Sequence, residues 1–554
     1  MSTPKQLLSF MVFLICAISI AAAGGASQTA APTALPEQVF IAAYANGPGG
    51  NGDQPAIPYS SAAGHSALIK LYSPLTILSK DGSQIVPYAA ESWTFNNDYT
   101  VWVFRIRKDM KFSDGRPITA HDVKKTAEYI TDPAYRPENA GDRNLWLSNV
   151  KGFKQKLEGG IKELASVRVI DDYSIEFTLD KANPRFFANC YRAYILPLHA
   201  MNFPVGNPMM TDWWFNPAVH VSSGPFKVGA YRKDEFMELV PNEHFFLGKP
   251  KLDKFVIKFF GGDITAAVLA MAAGDVQFSY LNVNDLSVLD AARINVFPGS
   301  SDVIVFFDLN YKKLPAYWQD VRFRQALMYA IDRKTMVKQI YQGTAVVYPA
   351  IWAHEVTYTD KLNWFDYNPD KAVQLLKEAG INPADVVIDI QSHAGYNTAL
   401  NNAALQAIQQ YLSKIGINKF SFRFLDVASW RTFYVKDGNW TIGLRGWGVP
   451  MYGADPYFQM SNAGGQGGDF RGFDYDSKGY PELLAKVTSA PTNESYFNAL
   501  KAVNELHNAH LPVLYMWVET RFGAASSRVK EFFWHPAAGG GPYIDDSHLW
   551  YIGN

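Results

Sequence analysis

Two short apolar runs constrain this chain most. Residues 303–307 read Val-Ile-Val-Phe-Phe, and residues 513–518 read Val-Leu-Tyr-Met-Trp-Val. Neither run alternates apolar with polar, as a strand with one wet face would. Both fit strands buried on two faces. The stretch between them has the size of a separate α/β domain. If the two runs are crossing strands, the chain leaves a first lobe near residue 300, builds a second lobe and returns near residue 511. Two hinged lobes place a ligand cleft between them. The length agrees, because 554 residues exceed what one hydrophobic core serves.

The N-terminus predicts export. Lys5 precedes an apolar stretch over residues 7–20, and Ala21, Ala22, Ala23, Gly24, Gly25, Ala26 and Ser27 follow it. A basic start, a short apolar centre and small exit residues make a secretory signal peptide over residues 1–27, cut after Ala23 or Ser27. An uncleaved anchor is the alternative. The apolar centre is shorter than the roughly 20 residues a membrane span needs. Residues 28–36, rich in Ala, Thr and Pro, read as a flexible leader. Leu14 and Ile15 ahead of Cys16 do not make a lipoprotein cleavage site. Cys190 is then the sole cysteine of the mature chain, which excludes an intrachain disulfide and a cysteine-based metal site. A net charge of -1 without a basic block gives no electrostatic case for nucleic acid or an anionic membrane surface.

The remaining pattern alternates strands with helices. Tyr173, Ile175, Phe177 and Leu179 alternate with polar residues, and Trp102, Phe104 and Ile106 mark a second half-buried strand. Asp320 caps a helix running through Val321, Ala326, Leu327, Ala330 and Ile331. Asn368 and Pro369 open another, which carries Val373, Leu376 and Ala379 and stops at Gly380. Ala404, Ile408, Tyr411, Leu412 and Ile415 continue at helical spacing to Gly416, after which Phe420, Phe422 and Phe424 alternate as a strand. Helix, glycine stop and alternating strand form an α/β unit.

Catalytic and metal motifs are weak. Residues 47–52 match G-x-G-x-x-G literally, but Pro55 and Pro58 follow where a dinucleotide fold needs a helix, so a loop is expected. Asp474, Asp476 and Gly479 faintly resemble a calcium loop, with Lys478 among the ligands and Ala485 in place of the closing Glu. His507 and His510 share a helix face with Glu505, a poor metal signal alone. No H-E-x-x-H, G-x-S-x-G or Walker sequence is present. The reading is a non-enzyme without cofactor or metal.

Several blocks resemble the solute-binding family 5 that serves dipeptide, oligopeptide, nickel and some oligosaccharide ABC importers. Residues 71–75 (Leu-Tyr-Ser-Pro-Leu) are followed by residues 86–93 (Val-Pro-Tyr-Ala-Ala-Glu-Ser-Trp). Residues 104–115 then run into Ile118, Thr119, Ala120, His121, Asp122 and Val123, close to the family's F-x-L-R-x-x-x-x-F-x-D-G and T-A-x-D-V pattern. Ser223, Gly224, Pro225 and Phe226 correspond to a G-P-Y/F turn, and residues 242–246 to an N-x-x-Y-like segment. Residues 320–333 are similar to a D-V-R-x-R-x-A-x-x-x-A-I-D-R helix, Ile415-Gly416-Ile417 to a K-x-G-I step, and residues 511–515 to the return strand. Elementary physics reads most of these as structural. Asp114-Gly115 is turn chemistry, Gly224 and Pro225 suit a tight bend, and Arg322 and Arg324 are expected to pair with carboxylates.

The resemblance implies a two-lobed α/β periplasmic-binding-protein fold with mixed sheets. Lobe I would span 37–300, with a subdomain inserted at about 75–200, lobe II 301–510, and 511–554 would return to lobe I. It also implies a monomeric periplasmic receptor that closes on its ligand and delivers it to ABC permease subunits in the membrane. Peptide-binding members carry a Trp in the cleft loop, then an Asp that pairs with the peptide ammonium, because a buried cation needs a counter-charge. Here Trp447 and the Asp455-Pro456 step are kept, but no acidic residue stands between them, and Pro450 and Tyr452 fall near the usual Asp position. Aromatics can instead stack on sugar faces. The expected cleft residues are Trp447, Arg445, Gly446, Tyr452, Asp455, Tyr44 and Trp352, with Trp213 and Trp214 as further candidates. Oligosaccharide is the favoured ligand and a short peptide the second, with a shifted ammonium anchor at Asp455. A nickel chelate is the third ligand reading, and an exported enzyme or a chaperone-like module on the same fold is the alternative of another class.

Overall fold

The computed structural model describes residues 37–44, 65–80, 84–135, 141–201, 210–261, 264–281, 283–342, 344–349, 357–426, 429–430, 432–433, 438–448, 479–533 and 546–553. The signal segment, the leader and the 47–52 glycine loop lie outside these residues. Met1–Glu37 is a unit separate from Gln38–Asn554, and everything below concerns the latter. Among the described residues, no helix is long and apolar enough to cross a membrane.

The two apolar runs lie in or beside two long strands, Ile294–Leu309 and Leu514–Ser526, which pair antiparallel from Ile294 opposite Ser526 to Phe307 opposite Leu514. Around them a sheet of eleven strands is assembled. On one side, Phe278–Leu281 pairs with the carboxyl half of the return strand, followed by Val39–Tyr44, Lys254–Phe259, Phe236–Pro241 and Phe226–Arg232. On the other, Ile442–Gly448 pairs with the carboxyl half of the outgoing strand, followed by Val387–His393 and Lys419–Leu425. Parallel and antiparallel pairs come in blocks: Val39–Tyr44 runs parallel to both its neighbours, as does Val387–His393, while the crossing strands are antiparallel. The sheet is mixed.

A separate antiparallel sheet of Ala90–Phe95, Val101–Ile106, Ser174–Thr178 and Val167–Asp171 sits against the first lobe. Its alternation is the one the sequence shows. Trp102, Phe104 and Ile106 are fully buried, as are Ile175 and Phe177. They share one core with Phe226, Leu239 and Phe255 of the large sheet. Each such side chain contributes about 1.5–3 kcal/mol on burial, which explains how a chain without a disulfide holds this sheet in place.

The second lobe has a core on each face of its sheet. Val305, Phe307 and Leu309 pack with Phe323, Leu327, Leu376, Ile408 and Leu412 from helices Val321–Ala330, Pro369–Glu378 and Ala399–Lys414. Ile304 and Phe306 pack on the opposite face with Leu484, Leu500 and Val503 from Tyr480–Thr488 and Asn493–His510. The predicted caps are in place. The Asp320 side chain accepts the Arg322 N–H and the Asn368 side chain accepts the Lys371 N–H, with Pro369 in the first turn. Gly416 follows the third helix at φ +87°, a backbone state that favours glycine. Gly224 is required for another reason: a Cβ there would lie 2.6 Å from the Lys70 carbonyl oxygen.

Arg322 pairs with a carboxylate, 2.6 Å from Asp320. Arg324 is fully buried, its charge helps hold the Asp320 carboxyl down, and it donates to main-chain carbonyls, those of Trp318 and of His510 at 2.7 and 3.2 Å. The planar guanidinium spreads its donors over several acceptors, which suits the unbonded carbonyls at a helix end. Here it ties the end of Asn493–His510 to Val321–Ala330.

Candidate functional site

The junction of the lobes is a defect in an otherwise regular strand pair. The register of the crossing strands shifts between Pro298 and Ser301, between Ser301 and Val303, and again between Val305 and Phe306. Bulges locally release ladder bonds and bend a strand. The first two lie where the strands pass from first-lobe neighbours to second-lobe neighbours. Phe522–Ala525 still pairs with Phe278–Leu281, whereas Val303 already pairs with Gly448. The register breaks of the crossing thus fall at 298–303, facing Glu519–Phe522.

Sheet register places the predicted cleft residues around this defect. Tyr44 ends Val39–Tyr44, and the neighbouring Ala43 aligns through Ser279 with Ala524. Trp447, next to the end of Ile442–Gly448, aligns through Ile304 with Val518. Six residues of the return strand, about 20 Å at strand rise, separate the two levels. Both positions stand at the carboxyl end of a strand that has a parallel neighbour, where open α/β sheets bind ligands. Tyr44 comes from the first lobe and Trp447 from the second, on opposite sides of the crossing.

Arg445 and Gly446 stand beside Trp447 in the same strand. The Arg445 guanidinium lies 4.0 Å from the Asp308 carboxylate, which is fully buried in the outgoing strand. A buried carboxylate demands a counter-charge, and Arg445 supplies it. The Gly446 carbonyl accepts a bond from the Tyr396 hydroxyl at 3.3 Å, and the Leu444 carbonyl one from Ser392 at 2.7 Å. These side chains fix the strand carrying Arg445, Gly446 and Trp447 against Val387–His393. Across the crossing, Trp517 donates its indole N–H to Glu519 at 3.2 Å and packs on Tyr341, whose hydroxyl donates to Asn401 at 3.0 Å. Burial pushes the Tyr341 hydroxyl far above its ordinary pKa, with the Glu519 charge adding to the effect, so it stays protonated. Trp352, Tyr452 and Asp455 lie outside the described residues.

Other sequence candidates resolve as structure. Trp213 and Trp214 belong to the first-lobe core, packed edge-on against each other at 4.9 Å, with Trp214 on Tyr72 and Trp213 on His220. They are core residues because their helix, Met210–Phe215, lies against the first sheet. His507 is buried and bonded through Nδ1 to the Tyr515 hydroxyl at 2.5 Å, while burial lowers its pKa to about 3. It is a neutral core histidine. Among the described residues, no group of His, Cys, Asp and Glu is placed to hold a metal ion. Cys190 is buried, and burial pushes its thiol pKa up. Asp308 and Glu519 were not singled out from the sequence. The available signal was a carboxylate directly following each apolar run.

Comparison with known proteins agrees with this architecture. The profile of the bacterial extracellular solute-binding proteins, family 5 (middle region), matches residues 84–469. A Brucella ovis protein named as an ABC transporter peptide-binding protein is 28% identical over 553 residues, covering 97% of this chain and 98% of its own length. NikZ from Campylobacter jejuni, solved with Ni(L-His), superposes with a TM-score of 0.75 at 20% identity, covering 93% of this chain and all of its own. AppA from Bacillus subtilis, solved with a nonapeptide, gives 0.72 at 20% identity, covering 94% of this chain and all of its own. With the hinge, the mixed sheet and the profile in agreement, this chain belongs to the bacterial extracellular solute-binding proteins, family 5.

Proposed function

We propose that the protein is the extracytoplasmic receptor of an ABC importer and encloses a short peptide between its lobes for delivery to the membrane permease. The observation that carries this is the pair of bulged crossing strands with candidate aromatic positions flanking them from opposite lobes. Closure at such a hinge buries a ligand between two faces, and binding energy shifts the population toward the closed form. No bond in the ligand has to break, and the Arg445–Asp308 pair serves to hold a strand. The end-to-end similarity to a protein named as peptide-binding favours peptide over oligosaccharide as the ligand class.

On this reading residues 1–27 are removed on export. The first lobe comprises 37–300 and 511–554 and the second 301–510, with Leu514–Val518 packing into the second-lobe cores before the chain crosses back. Trp447, Arg445, Gly446, Tyr452, Asp455, Tyr44 and Trp352 contribute the ligand-facing surface, and Asp455 takes the peptide ammonium. A thermal-shift series with the mature chain tests this, using di- to pentapeptides against neutral oligosaccharides. A ligand that binds only the folded state raises the melting temperature by mass action. Peptides are expected to raise it, and Asp455→Asn to remove most of the shift. A shift with oligosaccharides alone retires the peptide reading. A peptide shift untouched by Asp455→Asn places the ammonium partner elsewhere.

A further inference from the structure

A hinge built from bulges opens easily, so what holds the lobes together away from the hinge matters for how the receptor works. The guanidinium of Arg185 lies over the ring of Tyr496, 4.1 Å from its centroid. The two residues belong to different lobes and are 311 positions apart. We propose that Arg185 and Tyr496 form an interlobe clasp that stabilises the closed arrangement independently of the ligand. The clasp deepens the reading of the cleft as a solute site, on which it rests, by assigning a part of the closing equilibrium to residues outside it.

Each half of the clasp is fixed to its own lobe. Arg185 follows a turn in which its N–H donates to the Asn183 side chain at 2.9 Å, and the Asn183 N–H donates to the Tyr99 carbonyl at 3.1 Å. The next residue, Phe186, is fully buried in the first-lobe core with Trp102 and Phe177. Tyr496 sits in the first turn of Asn493–His510. The reciprocal cap between Thr492 and Ser495 holds that turn, and the Tyr496 N–H donates to the Thr492 carbonyl at 3.0 Å. Behind it Leu500 and Val503 pack on Ile304 and Phe306 of the outgoing strand. Neither anchor yields without disturbing a core, so rotation of the lobes about the hinge separates the pair.

The chemistry suits a reversible contact. Tyr496 is 1% exposed, and a cation over a desolvated aromatic face gains more than one in water. On opening, both groups meet solvent and Arg185 recovers its hydration, so separation carries no unpaired buried charge. A contact of this kind biases an equilibrium without locking it. Any bias toward closure raises the apparent affinity for whatever solute binds the closed form.

The test needs no ligand. Spin labels at Lys181→Cys and Glu494→Cys, both exposed positions flanking the pair, report the lobe separation by pulsed dipolar spectroscopy, and the buried Cys190 stays unlabelled. Arg185→Gln is expected to raise the ratio of long to short distances about fivefold in the ligand-free protein. Tyr496→Phe, which keeps the ring, is expected to stay within about twofold of the parent. The melting temperature of each variant, followed by circular dichroism, separates opening from unfolding. An unchanged distance ratio in a folded Arg185→Gln protein overturns the clasp, as does a Tyr496→Phe protein that opens as far as Arg185→Gln. Because no solute is present, a failure here is distinct from a failure of the peptide reading, which the thermal-shift series decides.

Discussion

The two crossing strands are different objects on either side of their irregular segment. In the second lobe, Ile304, Val305, Phe306, Phe307 and Leu309 are at most 3% exposed, and their partners from Leu514 to Val518 are equally buried. In the first lobe, the same outgoing strand exposes Asn295 and leaves Val296 39% open to solvent, opposite the small Ala525 and Ala524. The difference lies in what covers the sheet. Helices pack on both faces around residues 304–309, whereas at residues 294–297 each face is left partly to solvent, at Asn295 on one and at Val296 on the other. One ladder thus joins a fully enclosed segment to a half-covered one, and two of its three register breaks, at 298–301 and 301–303, fall between them. A rotation between the lobes would strain such a boundary least, because bulges there already interrupt the ladder.

The largest expected effect separates these halves. Phe307→Ala removes a large side chain from a two-sided core and is expected to cost about 3–5 kcal/mol, whereas Val296→Ala is expected to cost less than about 0.5 kcal/mol. Urea unfolding of the mature protein measures both, and similar losses would erase the distinction between the halves.

Acid sharpens the comparison, because each lobe holds a buried histidine whose pKa burial lowers, His220 in the first and His507 in the second. His220 accepts the Val228 N–H at Nδ1 (3.3 Å) and so donates from Nε2 to the Tyr72 hydroxyl at 2.7 Å, while His507 meets Tyr515. Burial lowers the pKa of each to about 3, against about 6.5 unfolded. Between these values the unfolded chain binds the proton and the folded chain does not. Their contribution to stability is therefore full above pH 6.5 and falls as pH drops toward 3, by about 1.4 kcal/mol per unit for each histidine. Urea midpoints between pH 6.5 and 5, before most carboxylates titrate, should fall less steeply in His220→Asn and in His507→Asn. If the lobes unfold in separate steps, each substitution should flatten only its own step.

The smallest effect concerns a local device. Asp320→Ala removes the side-chain cap of Val321–Ala330 and is expected to cost about 1 kcal/mol. Guanidinium bonding from Arg322 holds the Asp320 carboxyl below the usual carboxylate range, so it accepts from the helix N-terminus throughout neutral pH. The loss should appear in the second-lobe transition, and equal loss in both transitions would mean that the lobes unfold as one unit.

Much of the fold was legible because it is written in local chemistry. Asp320 and Asn368 cap the helices they precede, Gly416 ends the helix it follows, and Trp102, Phe104 and Ile106 alternate into a core. The crossing strands were legible at residues 304–307 and 514–518, where burial on both faces leaves an unbroken apolar run. Their continuation through 294–298 and 519–526 was not, since half-covered residues such as Asn295 and Val296 carry no such run. The site was less readable than the fold. Trp213 and Trp214 looked like cleft aromatics and are core, because a Trp needed for packing and one needed for recognition are the same residue type. The carbonyl bonds of Arg324 to Trp318 and His510 were not legible, because main-chain acceptors have no signature in sequence.

By itself the sequence determined the elements, their caps and stops, and the family, since these depend on residues near one another in the chain and on the order of blocks. The tertiary structure decided what depends on distant partners. It matched Arg445 to Asp308, set Trp447 and Tyr44 on opposite sides of one hinge, and brought Arg185 over Tyr496. Burial makes the first of these pairings necessary, because a charge removed from water must find its partner wherever the fold brings one.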